Sequence, residues 1–300
     1  MSFSTITSTE IAARVRLNAV DRIYLVYLLA VLVLAIAGGQ ATPTIIIGHA
    51  VIGVLICLVA AHRDRCAALG FLHDWYPLAM FIFSFEEVSR FSLAVIPHWQ
   101  DLHIIAFEQR LFNTSPNVAF SRLASPPLSE LMDLGYFSYY PVFPVVGGLL
   151  YGRGQKGPFR TLVLSSVLMY FVCFFIYIGF PTQGPRHALR GFEMPPPGWI
   201  FSYLVRFIQA GAGVHGNALP SSHVALAMLC AIAAQRWLPR IAPFLWASLS
   251  LICLGAVYDG YHYASDAAAG ILVALTSAKL GGLMVSQSSR IDRPTALPKT

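Results

Sequence analysis

Long runs of apolar residues constrain this chain more than any other feature of its sequence. Crossing the hydrocarbon core of a bilayer as a helix takes roughly 20 such residues. Runs approaching that length occupy residues 23–38, 44–61, 74–96, 128–151, 161–180, 220–237, 241–258 and 262–283. Only 11% of the residues are charged, against about 25% in an average soluble domain. The sequence therefore predicts an all-α, multi-pass transmembrane helical bundle of about six to eight spans.

Three segments depart from a simple spanning helix. Residues 101–120, which begin DLHIIAFEQRLF, and residues 199–211, WIFSYLVRFIQAG, mix polar and bulky apolar groups. This pattern is typical of helices that lie in the membrane interface. Within the run 128–151, Pro141 and Pro144 predict a kink, because proline cannot donate the helical hydrogen bond.

The basic residues predict the orientation, since lysine and arginine concentrate in cytoplasmic loops. Of the 20 basic residues, 14 lie at the chain ends or in the alternate loops that share one face: Arg14, Arg16, Arg22, Arg63, Arg65, Arg153, Lys156, Arg160, Arg236, Arg240, Lys279, Arg290, Arg293 and Lys299. Both termini are therefore predicted to be cytoplasmic. The net charge of +6 follows from this topology, so nucleic acid is not predicted as a partner.

Three polar stretches fall on the opposite, outer face: GPRHALRG at 184–191, HGNALPSSH at 215–223 and YDGYHYASD at 258–266. His223 and His262 are 39 residues apart, which is about two crossings at roughly 20 residues each. The chain therefore returns to the same face between them. We expect the two imidazoles to meet there.

The pair His262 and Asp266 suggests a nucleophile. Residues four apart stack on one face of a helix. A carboxylate beside an imidazole fixes its tautomer and stabilises the imidazolium, which leaves the other ring nitrogen free to attack phosphorus. His262 is the predicted nucleophile and Asp266 the group that orients it.

The stretch PSSH predicts a helix start that binds an anion. Pro220 suits the first turn of a helix, so the amides of Ser221, Ser222 and His223 are expected to be unpaired. Such amides bind phosphate, and His223 is placed to protonate a leaving oxygen. We expect Arg186 and Arg190 to neutralise the phosphoryl oxygens.

Each motif also has a purely structural interpretation. A His-x3-Asp pair is a common helix-face contact, and PSSH often does no more than begin a helix. Their joint occurrence at the spacing of two crossings, on the face that is poor in arginine, favours catalysis.

These residues resemble the type-2 phosphatidic acid phosphatase superfamily, which pairs Pro-Ser-x-His with a later Arg-x5-His-x3-Asp. PSSH at 220–223 matches the first motif, and His262 with Asp266 matches the end of the second. The resemblance implies a phosphatase/haloperoxidase-like helical core, a phosphohistidine intermediate on the later histidine, proton donation by the earlier one, and no metal or other cofactor. The expected arginine is Ala256 here; Arg186 is the predicted replacement.

The absence of that arginine, together with HGNALPSSH and YDGYHYASD, resembles the branch of inositol phosphorylceramide synthases and bacterial inositolphosphotransferases. Stretches such as QRLFNTSPNVAF extend the resemblance over roughly residues 75–283. The chain is predicted to comprise an N-terminal transmembrane pair (1–72), a catalytic membrane domain (73–285) and a cytoplasmic tail (286–300).

The predicted function is phosphoryl transfer from a lipid-linked phosphate, at the outer face of a bacterial inner membrane and among membrane lipids. The acceptor is water or an alcohol such as inositol, and the sequence does not separate the two. Plain hydrolysis of an isoprenoid diphosphate or of phosphatidate is the alternative within enzymes. A membrane transporter or scaffold that retains the fold is the alternative outside them.

Overall fold

A computed structural model describes residues 17–212 and 216–291 of the chain. Over these residues the structure is helical, with a single isolated bridge between Thr182 and Asn217. The all-α prediction is confirmed. Residues 1–16, residues 213–215 and the end of the predicted tail, 292–300, lie outside the described residues, and Arg14, Arg16, Arg293 and Lys299 lie there with them.

The helices of the described residues are, in chain order, α1 (Ala19–Ala37), α2 (Pro43–His62), α3 (Ala67–Arg90), α4 (Asp101–Phe112), α5 (Pro116–Ser121), α6 (Pro126–Phe137), α7 (Tyr139–Gly152), α8 (Lys156–Gly179), α9 (Pro185–Ala188), α10 (Ile200–Ala212), α11 (Ser222–Trp237), α12 (Ala242–Tyr258) and α13 (Ala264–Ile291).

The chain divides into two compact units: the first ends at Ser84 and the second begins at Phe85. This division falls within α3, later than the predicted boundary between residues 72 and 73. In the first unit, Asn18 and Asp21 cap α1 through reciprocal side-chain bonds. The buried Asp21 carboxylate also accepts a bond of 2.8 Å from the Tyr76 hydroxyl and lies 3.1 Å from Nε2 of His73. A buried carboxylate requires such donors, and these contacts fix α1 against the first part of α3.

Helix α11 lies at the centre of the second unit. It packs against α7, α8, α12 and α13, and 11 of its 16 residues are buried. Alanine residues line much of this helix. Small side chains let neighbouring helices approach closely, and a helix that is apolar on every side is stable only when it is enclosed.

Among the residues that the structure describes, four helices are long and apolar enough to cross a membrane: Ala19–Ala37, Pro43–His62, Lys156–Gly179 and Ala264–Ser286. Ala242–Tyr258 is apolar but shorter. These helices agree with five of the eight predicted runs, and the fold is a multi-pass transmembrane bundle. The total of six to eight spans stays a prediction.

The run 128–151 forms two helices, α6 and α7, which meet at Ser138. Pro141 has no N–H to offer to the Phe137 carbonyl, so the helical hydrogen bonds are interrupted there. Helix α7 continues through Pro144. The predicted kink is therefore a break that lies three residues before the first proline.

Helix α4 buries its acidic residues and exposes its apolar ones. Asp101 and Glu108 are buried, whereas Leu102, Phe107 and Leu111 are exposed. Helix α10 also presents an apolar surface, since Tyr203 and Phe207 are largely exposed. The prediction that both segments lie in the membrane interface stays a prediction, but the carboxylates of α4 face the protein and not water.

Glycines allow α6 and α12 to touch through their backbones. A Cβ atom at Gly255 would lie 2.5 Å from the Met132 carbonyl oxygen, and one at Gly135 would lie 2.9 Å from backbone atoms of Leu251. Both distances are shorter than van der Waals contact. The close approach of these two helices therefore depends on glycine at both positions.

We predict that Gly255→Ala destabilises the protein by about 1–3 kcal/mol, the usual cost of overpacking. The measurement is the melting temperature of detergent-solubilised protein. Gly148→Ala is the matched control, because Gly148 is also helical and a Cβ atom there meets nothing within 4 Å. Equal melting temperatures for the two variants would contradict the proposed steric role of Gly255.

Candidate functional site

The two predicted catalytic histidines lie side by side. His223 is in the first turn of α11, and His262 is in the loop between α12 and α13. Their ring centroids are 5.6 Å apart, and Nε2 of His262 lies 3.5 Å from Nδ1 of His223. Helix α12 returns the chain to the end of the bundle at which α11 begins, as the spacing of 39 residues predicts.

A backbone carbonyl fixes the orientation of the His262 ring. Nδ1 of His262 lies 2.8 Å from the carbonyl oxygen of Ala218. A carbonyl only accepts, so Nδ1 carries the proton and Nε2 keeps the lone pair that a nucleophile needs. Asp266 is 3.6 Å from the same nitrogen, which is close for electrostatic stabilisation but too long for a hydrogen bond. Ala218 therefore orients the ring, and Asp266 supplies a nearby charge.

Asp266 also organises the start of α13. Its carboxylate accepts a bond of 2.8 Å from the amide of Tyr263, and its carbonyl accepts a bond of 2.9 Å from the amide of Ser221. The starts of α11 and α13 are thus joined directly. This bond explains why the residues that precede the two helices occupy one site.

The helix start at PSSH differs in detail from the expectation. Helix α11 begins at Ser222, two residues after Pro220, and Ser221 is its N-cap. The Ser221 hydroxyl accepts from the amide of Val224, and the Ser221 amide is bonded to Asp266. The Ser221 amide, one of the three that the prediction assigned to phosphate, is therefore already bonded, and the Ser222 amide neighbours the Tyr177 hydroxyl.

Aromatic rings surround His223. The ring centroids of Tyr139, Tyr136 and Phe85 lie 4.3, 5.3 and 6.4 Å from that of His223. The hydroxyl of Tyr139 is bonded to that of Tyr170. These contacts hold the imidazole by packing and leave its Nδ1 directed at His262.

Arg186 and Arg190 occupy different environments, and Arg186 is not in direct contact with the histidines. Its guanidinium lies 3.7 Å from the centre of the Tyr261 ring, and its Nε donates a bond of 2.6 Å to the Asp259 carbonyl. Tyr261 stacks on Tyr136, which in turn neighbours His223. Two tyrosine rings therefore connect Arg186 to His223. Arg190 is exposed in the turn after α9.

Ala256, which stands where the family motif has arginine, is fully buried against Tyr136 and Val205. Its carbonyl oxygen accepts bonds of 3.0 Å from the amides of both Tyr261 and His262. A long cationic side chain would have to displace this packing. The backbone carbonyl of Ala256 therefore helps to fix the loop that carries His262.

Asp259 is a buried acid with an unusual environment. Within the part of the chain that the structure describes, its Oδ2 atom has no hydrogen-bond partner. Burial raises the pKa of its carboxyl, and the neighbouring Asp133 carboxylate raises it further, against smaller opposing effects of Arg186 and Arg206. The folded protein therefore favours a protonated Asp259.

Several residues of the site carry no sequence motif. Asn117, Asp101 and Glu108 all contact the segment that contains His262, and Ala218 acts through its backbone. The only signal in the sequence was the seven-residue interval between Asp101 and Glu108, which places both on one helix face. Across residues 17–212 and 216–291, no group of three or more His, Cys, Asp or Glu side chains is arranged to hold a metal ion.

The fold and the neighbouring rings of His223 and His262 define a multi-pass membrane protein with a candidate site at one end of its helical bundle. A family model described as the PAP2 superfamily matches residues 102–280, which is more than half of the chain. The chain belongs to the PAP2 superfamily. No curated protein sequence matches it significantly.

The solved structures similar to this chain include the crystal structure of Aquifex aeolicus LpxE. The two share 18% sequence identity at a TM-score of 0.44, and the match covers 55% of this chain and 91% of that one.

We predict that Asp259→Asn makes the stability of the protein less dependent on pH. An acid whose pKa is higher in the folded than in the unfolded state binds more protons when folded. Stability therefore falls as pH rises from the unfolded pKa to the folded pKa. Asparagine resembles the protonated form. The variant should therefore match the wild type near pH 4, the unfolded pKa of an aspartate, and melt at progressively higher temperature than the wild type as pH rises. A difference that stays constant or shrinks would contradict the shifted pKa.

Proposed function

We propose that this protein is a lipid phosphoryl-transfer enzyme that works through a phosphohistidine. The observation that carries the proposal is the arrangement of His262: its Nδ1 is committed to the Ala218 carbonyl, and its Nε2 faces His223. An imidazole held in one tautomer, with a second imidazole within reach, supplies both a nucleophile and a proton carrier.

In the first step, Nε2 of His262 bonds to phosphorus while the bond between phosphorus and the lipid oxygen breaks. His223 gives its proton to that oxygen, and the lipid alcohol leaves. Asp266, 3.6 Å from Nδ1 of His262, stabilises the positive charge that develops on the ring. The carboxylate thus acts electrostatically and does not itself take a proton.

In the second step, an acceptor oxygen bonds to phosphorus, the bond to Nε2 breaks, and the acceptor proton passes to His223. Water as acceptor makes the protein a phosphatase. An alcohol such as inositol makes it a phosphotransferase of the branch that the sequence resembles. The chemistry at the two histidines is the same for both acceptors.

The phosphoryl oxygens need positive partners. The amides of Ser222 and His223 at the start of α11 are suited to this role, with Arg186 and Arg190 as cationic partners and Ser221 as the residue that caps the helix. Arg186 lies beyond the stacked rings of Tyr261 and Tyr136. In our proposal this tyrosine pair shifts when a lipid phosphate enters, so that the guanidinium reaches the developing charge.

The proposed setting is the outer face of a bacterial inner membrane, with both termini in the cytoplasm. Residues 73–285 are proposed as the catalytic domain, residues 1–72 as an additional transmembrane pair and residues 286–300 as a cytoplasmic tail. Lipid phosphates reach the site from the surrounding membrane, and no cofactor is needed for the two steps.

We predict that His262→Ala abolishes turnover of the lipid phosphate. Asp266→Asn should fold nearly normally and slow the reaction by about 10²–10⁴-fold, as the loss of a carboxylate partner of a catalytic histidine does. His98→Ala is the control, because His98 is exposed and is not part of the site. Unchanged turnover in His262→Ala would contradict the assignment of the nucleophile.

The acceptor is identified by supplying a panel of lipid phosphates to purified protein, with and without polyols, and analysing the lipid and polyol products by mass spectrometry. We expect phosphate release without acceptor if water is the acceptor. Phosphate that appears only on an added alcohol identifies a transferase. No loss of phosphate from any lipid, under conditions in which the protein is folded, would refute the proposed function.

A further inference from the structure

Buried polar side chains from one short segment, residues 101–117, hold the loop that carries His262. They come from α4 and α5, and their partners lie between residues 257 and 265, more than 135 positions further along the chain. We call this segment the clamp. The side chains of Asp101, Glu108 and Asn117 are buried, although the clamp exposes other polar and apolar residues.

Asn117 makes the contacts closest to the nucleophile. It is fully buried, and its Nδ2 donates bonds of 2.7 Å to the Val257 carbonyl and 3.0 Å to the His262 carbonyl. One side-chain amide thereby joins the last turn of α12 to the residue that bears the reactive imidazole. The intervening loop includes Gly260 at a φ of +69°, a conformation that glycine adopts readily.

Asp101 and Glu108 extend the clamp beyond His262. Oδ1 of Asp101 accepts a bond of 2.9 Å from the Tyr263 hydroxyl, and Oε1 of Glu108 accepts bonds of 2.8 and 2.9 Å from the amide and hydroxyl of Ser265. Asp101 also accepts from the amides of Gln183 and Gly184. The residues on both sides of His262 are thus fixed to the same segment.

We infer that Asn117 is a positioning residue for His262, and that the clamp sets the direction in which Nε2 points. The Asn117 amide touches neither the imidazole nor the expected substrate position. It acts through the backbone of Val257 and His262. Because displacements of about 1 Å at a reacting atom cost up to about 100-fold in rate, a loop released from this amide presents a poorly aligned nucleophile.

The catalytic part of this inference rests on the proposed function, and it is tested with Asn117→Asp. Aspartate has the same shape but offers no donor to the two carbonyls. Purified protein is mixed with phosphatidic acid that carries ³²P, and the labelled protein is followed over one turnover. We expect labelling to slow by about 10–100-fold, while its final amount per mole of protein is unchanged.

A purely structural role gives the opposite result. If Asn117 only stabilised the fold, fewer molecules would be active, so the final amount of labelled protein would fall while the rate constant stayed the same. That outcome overturns the inference. Tyr263→Phe, which removes only the hydroxyl bonded to Asp101, is a milder second variant and should slow labelling in the same way but less.

Ser138→Ala is the matched control. The Ser138 hydroxyl also contacts α12, through Ser248, and bonds the Gly135 carbonyl, but it does not reach the loop of His262. The rate constant of labelling in Ser138→Ala should equal that of the wild type. A rate constant lowered as much as that of Asn117→Asp would overturn the inference.

Hydrogen exchange separates failure of the inference from failure of the proposed function. In Asn117→Asp, amides of residues 257–265 should exchange faster with deuterium, while those of residues 224–234 in α11 stay as protected as in the wild type. Unchanged exchange at 257–265 overturns the clamp whatever the activity. A wild-type protein that is labelled by phosphatidic acid and by none of the other lipid phosphates of the panel refutes nothing of the clamp, and one that is labelled by no lipid phosphate at all refutes the proposed function. In both cases the exchange result still decides whether Asn117 holds the loop.

Discussion

The hydrogen bond from Nδ1 of His262 to the Ala218 carbonyl is the interaction on which the site depends. It joins the turn before α11 to the loop before α13, and it determines which ring nitrogen keeps a lone pair. The bond is possible because α11 is buried and α12 returns beside it. Packing of small side chains around α11 therefore sets the geometry of the candidate site at the start of this helix.

The long apolar runs were sufficient to predict the all-helical fold, and the spacing of the polar motifs predicted that His223 and His262 meet, because both follow from the length of a membrane crossing. The sequence could not indicate Ala218, whose contribution is a backbone carbonyl. It also could not reveal the clamp. Asp101 and Glu108 lie in a segment that was predicted to be an interfacial helix, and hydrophobic periodicity does not tell whether the polar face of such a helix meets water or a buried loop.

The substitution of alanine for arginine at position 256 changes how positive charge can reach the site. Ala256 packs against Tyr136 and Val205, and the guanidinium of Arg186 lies on the ring of Tyr261. An arginine on α12 would emerge from the helix directly before the loop of His262. Arg186 instead comes from a separate segment, and aromatic stacking holds it. Arg186 is therefore held by the backbone carbonyl of Asp259 and by the ring of Tyr261, and the stacked tyrosines separate its guanidinium from His223.

The donors around each carboxylate explain why acids at similar depth have different roles. Asp101 accepts bonds from two amides and a hydroxyl, and these bonds hold two loops together. Asp266 accepts one amide and lies beside an imidazole, so its charge is available when the ring becomes positive. Asp259 lies next to Asp133 and has an oxygen without a donor among the described residues. Burial then favours its neutral form, since an isolated buried charge is costly. Asp266 also has an oxygen without a partner among the described residues, so the neighbouring group distinguishes the two acids: Asp259 faces another carboxylate, whereas Asp266 faces the imidazole of His262.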